Sequence, residues 1–224
     1  MRNYFKHIVS IFAKDLLLEF RTKETFVAVV IFALLIILTF NLGLDNMPGT
    51  TPTVSAGILW IAIIFGGIIG MNRIYSIETE TGAINRILLT PVSRDAVFFA
   101  KALSNIVLMI SVEFILLPTI IVLYNLSFDI FPMIFLSLFV ITGISLVGTL
   151  FSVISIKTKT REVMLPILLL PILSPVLIAA VEASAAIIAG QTISDIQNWV
   201  ALIIVFDAIF FVLAPLFFTY IVNE

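Results

Sequence analysis

Residues 130–156 read IFPMIFLSLFVITGISLVGTLFSVISI, a stretch that contains no charged side chain. An α-helix needs about 20 apolar residues to cross the roughly 30 Å of hydrocarbon in a bilayer. Backbone inside a bilayer must also satisfy its own hydrogen bonds, as a helix does. The stretch therefore predicts a membrane-spanning helix.

Further apolar runs of similar length lie on both sides of this one. Together the six runs occupy residues 25–42, 54–74, 96–124, 130–156, 163–189 and 198–222. They lack the alternating polarity over about 10 residues that is typical of membrane β-barrel strands. We therefore expect an all-α integral membrane protein with six transmembrane helices, in which residues 1–224 form a single transmembrane domain.

Composition agrees with this prediction and excludes several kinds of chemistry. Hydrophobic residues make up 61% of the 224 residues and charged residues only 12%, whereas soluble domains carry about 25% charged residues. The chain has no cysteine, which excludes thiolate metal sites and covalent haem attachment through paired cysteines. The only histidine, His7, excludes a haem site built on two histidines. Lys14, Asp15 and Glu19 interrupt the first apolar stretch, so we expect no cleaved signal peptide.

The positions of the basic residues predict how the chain crosses the membrane. All 12 precede the first span or lie in and around the second and fourth connections: Arg2, Lys6, Lys14, Arg21, Lys23, Arg73, Arg86, Arg94, Lys101, Lys157, Lys159 and Arg161. The other connections, residues 43–53, 125–129 and 190–197, contain no basic residue. Because basic residues near span ends stay on the cytoplasmic side, we expect both termini in the cytoplasm.

The amino-terminal segment, residues 1–24, has the pattern of an amphipathic helix. Apolar residues recur at helical spacing and polar residues fall mostly on the other side: Phe5, Ile8, Phe12 and Leu16 against Lys6, Ser10, Lys14 and Arg21. We expect a helix that lies in the inner membrane interface. Two interpretations remain, an anchor that aligns the first span and a collar helix that contacts a cytoplasmic partner.

The second connection, residues 75–95, is unusually long and is not of low complexity. Its core, residues 78–91, reads ETETGAINRILLTP. Two acidic residues precede a short apolar stripe, and a proline ends the pattern, which predicts a brief amphipathic helix parallel to the membrane. Such a helix either docks in the groove of a partner or lies on lipid headgroups.

This connection resembles the coupling-helix region of ABC-2 type exporter membrane subunits. The resemblance rests on acid-x-acid-x-Gly, a Leu/Ile-rich turn, Thr-Pro and Ser-Arg, and it implies that the loop docks onto a separate ATPase. The candidate coupling residues are Glu78, Glu80, Gly82, Ile84, Ile87, Leu88, Thr90 and Pro91. No glycine of the chain is followed by lysine, so the chain lacks the Gly-x-x-x-x-Gly-Lys-Ser/Thr motif that holds nucleotide phosphates.

Short motifs in a fixed order resemble the haem exporter protein B (CcmB) family over nearly the whole chain. They are KDLLLEFR at 14–21, AGILW at 56–60, NR at 72–73, LLTP at 88–91 and LPILLLPILSP at 165–175. The resemblance implies a non-catalytic subunit of an ABC complex in the bacterial inner membrane that acts in cytochrome c-type biogenesis. Implied partners are an ATPase that binds ATP, a haem-handling membrane protein and a haem chaperone. No cofactor is expected on the chain itself, and no nucleic acid among its partners.

Three acidic residues, Glu113, Glu182 and Asp207, lie inside the predicted spans, and counting from the span ends places them toward the outer half. A charged side chain costs about 2.5–3.5 kcal/mol at the centre of a membrane helix. No basic residue of the sequence falls at that depth. The acids are therefore protonated, hydrated in a cavity or in contact with a partner, and Glu182 is alternatively exposed at the interface.

Small residues and prolines mark two further features of the spans. Gly66 and Gly70 form a Gly-x-x-x-Gly pair, which permits close packing either within the subunit or with a second copy or pseudo-symmetric partner. Prolines interrupt three spans at Pro118, Pro166, Pro171, Pro175 and Pro215. Three of them fall in the fifth span, which is either kinked or broken, with residues 176–189 re-entering the membrane.

Two other functions remain as alternatives. An ABC-2 permease that exports a lipid, a drug or a polysaccharide would share the coupling loop but not the haem-handling partners. A secondary transporter would need no ATPase, and internal repeats around a midplane ion site would favour it.

Overall fold

The computed structural model describes residues 2–44, 52–80, 82, 89–90, 92–156 and 161–223, and nearly all of them are helical. The helices are α1 Arg2–Thr22, α2 Glu24–Leu44, α3 Pro52–Glu80, α4 Arg94–Leu123, α5 Ile130–Ile156, α6 Arg161–Ile188 and α7 Ile193–Asn223. Helices α2 to α7 are each long and apolar enough to cross a membrane. The prediction of an all-α membrane protein with six spans is confirmed.

Several helices extend beyond the predicted apolar runs. Helix α3 continues through Glu80, so residues 75–80, expected at the start of the second connection, form its last turns. Helix α7 begins at Ile193 instead of residue 198. Hydropathy marks only the part of a helix that suits hydrocarbon, whereas the helix itself continues where polar side chains find partners.

Helix α3 forms the centre of the bundle and packs against α2, α4, α5 and α6. Its Trp60 is fully buried, and the indole Nε1 donates a hydrogen bond to Ser184 Oγ of α6 at 2.9 Å. Helices α2 and α7 are peripheral, because few of their apolar side chains are fully buried and many are exposed. Those faces suit lipid or another membrane subunit.

Helix α1 lies along the start of α4 rather than crossing the bundle. Its Ile8 is buried with Ala96 and Ala100, whose small side chains let the two helices approach closely. Phe5 and Phe20 remain exposed on another side of α1. We call the end of the bundle that carries α1 and the connection between α3 and α4 the basic end.

The opposite end has well-formed helix caps. Asn125 and Gly190 adopt positive φ angles of 48° and 72° just after α4 and α6. Leu126 N then donates to Ile121 O at 3.0 Å, and Gln191 N donates to Ala186 O at 2.9 Å, which is the hydrogen bond of a Schellman cap.

Helix α6 is continuous despite Pro166, Pro171 and Pro175. The fifth span is therefore not broken, and residues 176–188 continue the same helix. Ser174 Oγ donates to Pro171 O at 2.8 Å. In several other spans a serine or threonine hydroxyl also donates to a backbone carbonyl of the preceding turn. The hydroxyl group thereby has a hydrogen-bond partner in an apolar environment.

Candidate functional site

The connection between α3 and α4 is the candidate docking segment, and the structure describes part of it. Gly82 has a φ of +64°, a conformation that favours glycine, two residues after α3 ends. Leu89 is 87% exposed and Thr90 is also exposed. The other predicted coupling residues, or their side chains, lie outside the described residues: Glu80, Ile84, Ile87, Leu88 and Pro91.

Glu78, the first predicted coupling residue, is buried at the root of this connection. It lies in the last turn of α3 and contacts Lys101 of α4 through its Oε1 atom. Lys14 Nζ of α1 lies 3.4 Å from the same oxygen. Glu78 therefore contributes to the interior of the basic end, and the exposed surface of the connection is formed by residues such as Leu89.

Lys101 is the centre of a cluster of four charged side chains. Its side chain is 2% exposed, and its ammonium lies 2.9 Å from Asp15 Oδ2 of α1 as well as against Glu78. Asp15 Oδ1 accepts a second contact from Lys14 Nζ at 2.8 Å. Two positive and two negative side chains from α1, α3 and α4 thus form a neutral, largely buried network, which we call the charge cluster.

The environment of Lys14 keeps it charged. Burial alone lowers the pKa of Lys14, but the hydrogen bond and charge of Asp15 and the charge of Glu78 outweigh burial and raise this pKa above its ordinary value. Because an isolated lysine already titrates near 10.4, Lys14 is protonated at neutral pH. The stability it contributes is complete below the unfolded pKa and is lost only as pH rises through the higher folded pKa.

A layer of polar side chains lies beneath the charge cluster. Tyr75 of α3 is buried, and its ring centroid lies 6.0 Å from Lys101 Nζ. Asn105 Nδ2 of α4 donates to Thr149 Oγ1 of α5 at 2.9 Å. The charge cluster links α1, α3 and α4 to one another, and the hydrogen bond between Asn105 and Thr149 links α4 to α5 as well.

The junction between α1 and α2 is built differently. Lys23 separates the two helices with a φ of 55°. Glu19 Oε1 accepts a hydrogen bond from Phe26 N at 2.7 Å and so caps the start of α2. Arg73 Nη2 of α3 pairs with Glu24 Oε2 at 2.5 Å, but both side chains are exposed. The junction therefore has a bend and few buried contacts.

Sequence reasoning missed the role of Lys101, Asp15 and Glu19. Lys101 was counted among the basic residues around the second connection, but it lies two turns inside α4 and is buried. A signal was present, because an ionisable residue inside a span is rare and usually has a named partner. The partner is not evident from sequence, since Asp15 and Glu78 come from distant segments.

The three predicted intramembrane acids have different surroundings. Glu182 is exposed near the end of α6 opposite the basic end. Glu113 is 7% and Asp207 is 9% exposed. Asp207 lies near the middle of the helix α7, with about 21 Å of helix before it.

Neither Glu113 nor Asp207 contacts a basic side chain among the described residues. Glu113 lies beside Ser137 of α5, but its Oε1 atom has no hydrogen-bond partner in the part of the chain that is described. Both carboxyl oxygens of Asp207 also lack one there. Asp207 packs against Gly143 of α5, where a methyl group would meet its carboxyl. Both acids are buried inside the bundle, and the site of Asp207 is tightly packed.

The predicted glycine pair packs within the subunit. A Cβ atom at Gly66 would lie 3.0 Å from Val29 of α2. One at Gly70 would lie 3.0 Å from Leu108 of α4 and 3.2 Å from Val29. The two glycines therefore let α3 approach α2 and α4 closely.

The described part of the chain has six helices long enough to span a membrane, an additional helix at the basic end, and a connection that begins at a buried charged root and includes the exposed Leu89. This architecture is that of an ABC-2-like membrane permease. The family described as CcmB protein matches residues 6–223. The chain belongs to this family.

Individual relatives are similar to this chain over most of their length. Heme exporter protein B of Rhodobacter capsulatus is 24% identical over 200 residues, which are 84% of this chain and 92% of the relative. Heme exporter protein B of Pseudomonas aeruginosa is 24% identical over 90% of this chain and 89% of its own. Heme exporter protein B of Paracoccus denitrificans is 23% identical over 76% of this chain and 78% of its own length.

Proposed function

We propose that this chain is the membrane subunit of an ABC transporter complex that handles haem during cytochrome c-type biogenesis. Family membership supports this proposal, as do the relatives that carry the name Heme exporter protein B. The chain would lie in the bacterial inner membrane with the basic end in the cytoplasm. The distribution of lysine and arginine supports that orientation.

The energy would come from a separate ATPase that docks on the connection between α3 and α4. The observation that carries this step is the combination of a firmly held root and an exposed leucine in the described part of the connection. Glu78 and Lys101 join the two ends of the connection in a buried ion pair, while Leu89 presents 87% of its surface. An exposed leucine on a fixed base suits an apolar groove of a partner.

Haem would be handled by the complex rather than held by a site on this chain. The sequence has no cysteine, and its one histidine, His7, lies in α1 at the basic end. Histidine and cysteine are two of the common ligands of haem iron, and the sequence offers one histidine and no cysteine for that role. Two steps for the use of ATP remain as alternatives, transport of haem and release of a haem-loaded chaperone. Both include a haem-handling membrane protein and a haem chaperone as partners.

More than one membrane chain is proposed for the complex, either a second copy or a pseudo-symmetric partner. The exposed apolar faces of α2 and α7 offer the area for such a contact. Lipid would cover what a partner does not.

Affinity purification from native membranes tests this function. The tagged chain is extracted in mild detergent, and all co-purifying proteins are identified by mass spectrometry. We expect an ATPase together with haem-handling membrane proteins. An ATPase without haem-handling proteins would favour a general ABC-2 exporter, and the absence of an ATPase would contradict the docking proposal.

A substitution in the connection tests the docking site within the same complex. Leu89→Asp should reduce recovery of the ATPase or uncouple its ATP hydrolysis, because a carboxylate does not enter an apolar groove. Ser127→Asp, in an exposed segment at the opposite end, is the matched control. Equal recovery and coupling in both variants would exclude Leu89 from the docking surface.

A further inference from the structure

Lys101 connects three segments that are far apart in sequence. Its ammonium contacts Asp15 of α1 and Glu78 of α3, while its own backbone belongs to α4. One carboxylate would suffice to balance one lysine. The second contact, from another helix, therefore joins α1 to both ends of the connection between α3 and α4.

The charge cluster resists separation of these helices. Separation of α1 would break the contacts of Asp15 with Lys101 and of Lys14 with Glu78. The buried Lys101 and Glu78 would then have only each other, and the loss of partners inside a buried charged network is unfavourable. Packing reinforces this constraint, since Ile8 of α1 is buried against Ala96 and Ala100 of α4. Movement of the connection would thus carry α1 with it.

The other end of α1 has a weaker constraint, the hydrogen bond from Phe26 N of α2 to Glu19 Oε1 at 2.7 Å. Helix α1 packs much more extensively on α4 than on α2. Between α1 and α2 the chain bends at Lys23, and the nearby ion pair of Arg73 with Glu24 is exposed, so it contributes little. The junction at Lys23 is the place where α1 can change its angle to the first span, α2.

We propose that Lys101 is a positioning residue that makes α1, the end of α3 and the start of α4 one rigid unit, which turns against α2 at Lys23. This inference rests on the proposed function, because docking of an ATPase on the connection would supply the movement. Lys101 acts through Asp15 and Glu78 and does not contact the ATPase. In this proposal α1 is a collar helix that transmits movement from the connection between α3 and α4 to the first span, α2.

Spin-label distance measurements on the assembled complex test this inference. The chain has no cysteine of its own, so pairs of labels can be placed by substitution, and an unsubstituted complex reports labels on other subunits. One pair, Leu17→Cys with Ile77→Cys, reports α1 against α3. A second pair, Leu17→Cys with Ile31→Cys, reports α1 against α2. All three side chains are exposed.

We expect the Leu17–Ile77 distance to be the same in the nucleotide-free and ATP-trapped complexes, and the Leu17–Ile31 distance to change. In Lys101→Met, the Leu17–Ile77 distribution should broaden and the change in Leu17–Ile31 should be lost, with the ATPase still bound. Lys101→Arg should restore both patterns, because a guanidinium keeps the charge. Asp15→Asn, which leaves Lys101 with Glu78, is a second variant in case Lys101→Met does not assemble, and it should also broaden the Leu17–Ile77 distribution.

The outcomes separate this inference from the proposed function. If no ATPase is present in the complex, the proposed function fails and the inference fails with it. If the ATPase is bound but the Leu17–Ile77 distance changes with nucleotide, only the rigid unit is overturned. Unchanged distances in both Lys101→Met and Asp15→Asn would overturn the positioning role of Lys101.

Discussion

Two buried regions of this protein accommodate charged residue types in opposite ways. At the basic end, Lys101 is surrounded by Asp15, Glu78 and Lys14, so each charge has a partner within the same cluster. Inside the bundle, Glu113 and Asp207 are similarly buried, yet among the described residues neither contacts a basic side chain. Side chains that are similarly buried thus have oppositely charged partners in the charge cluster and none among the described residues inside the bundle.

This difference in charge pairing indicates where ionised side chains contribute to the fold. A neutral network of four charges can remain ionised in a protein interior, and it then fixes the relative positions of its helices. An isolated carboxyl in an apolar site is costly when charged, so its neutral form is favoured there. We therefore expect the charge cluster to depend on charge and the interior acids to depend mainly on shape.

Removal of the central cation should have the largest effect. Lys101→Met leaves Asp15 and Glu78 buried with only the more exposed Lys14, and breaking a buried ion pair costs about 3–5 kcal/mol. A large decrease of the thermal unfolding midpoint in detergent is expected. Lys6→Met, at an exposed position of α1, is the control. Equal midpoints for the two variants would mean that the charge cluster is not a stabilising element.

A methyl group placed against an interior acid should have an intermediate effect. Gly143→Ala puts a Cβ atom into the carboxyl of Asp207, and overpacking of this kind costs about 1–3 kcal/mol. Asp207→Ala in the same chain should recover part of the loss. Gly57→Ala is the matched control, because no side-chain or other non-local atom lies within 4 Å of that position. Strictly additive losses in the double variant would argue against this contact.

An exposed ion pair should matter less than the buried one. Glu24→Gln removes the partner of Arg73, and exposed pairs contribute about 0–1 kcal/mol. The unfolding midpoint should therefore change little, and high salt should remove what difference there is. A loss as large as that of Lys101→Met would show that exposure does not distinguish the two pairs.

Neutral replacement of an interior acid should have the smallest effect. Glu113→Gln keeps the size of the side chain, so assembly of the complex should be intact if the carboxyl is protonated at rest. Glu78→Gln is the comparison, because the same replacement in the charge cluster removes a partner of Lys101. Recovery of the assembled complex after purification is the measurement. Failure of Glu113→Gln alone to assemble would indicate that Glu113 functions as an ion.

The spans could be predicted from sequence because each is a local property of one apolar run. Their ends were less predictable, as the extension of α3 through Glu80 shows, since polar partners in other helices support those turns. The same reason explains why the burial of Lys101, which lies inside the predicted span 96–124, was not predicted. Its burial depends on Asp15 and Glu78, which come close only in the folded bundle.

The candidate docking segment could be predicted from a local motif. Which of its residues are buried and which are exposed could not. Glu78 matches the acidic motif and lies in the interior, whereas the adjacent exposed surface is formed by Leu89. The inward position of Glu78 depends on its contacts with Lys14 of α1 and Lys101 of α4. A motif read from the sequence alone carries no information about that packing.

Site-directed photo-cross-linking tests most directly whether the connection between α3 and α4 docks an ATPase. The chain has no native cysteine, so a cysteine-reactive photo-cross-linker can be attached at Leu89→Cys and, as a control, at Ser127→Cys. We predict a cross-link from Leu89→Cys to the ATPase in native membranes and none from Ser127→Cys. A cross-link from Ser127→Cys, or from neither position although the ATPase co-purifies, would contradict docking at this connection.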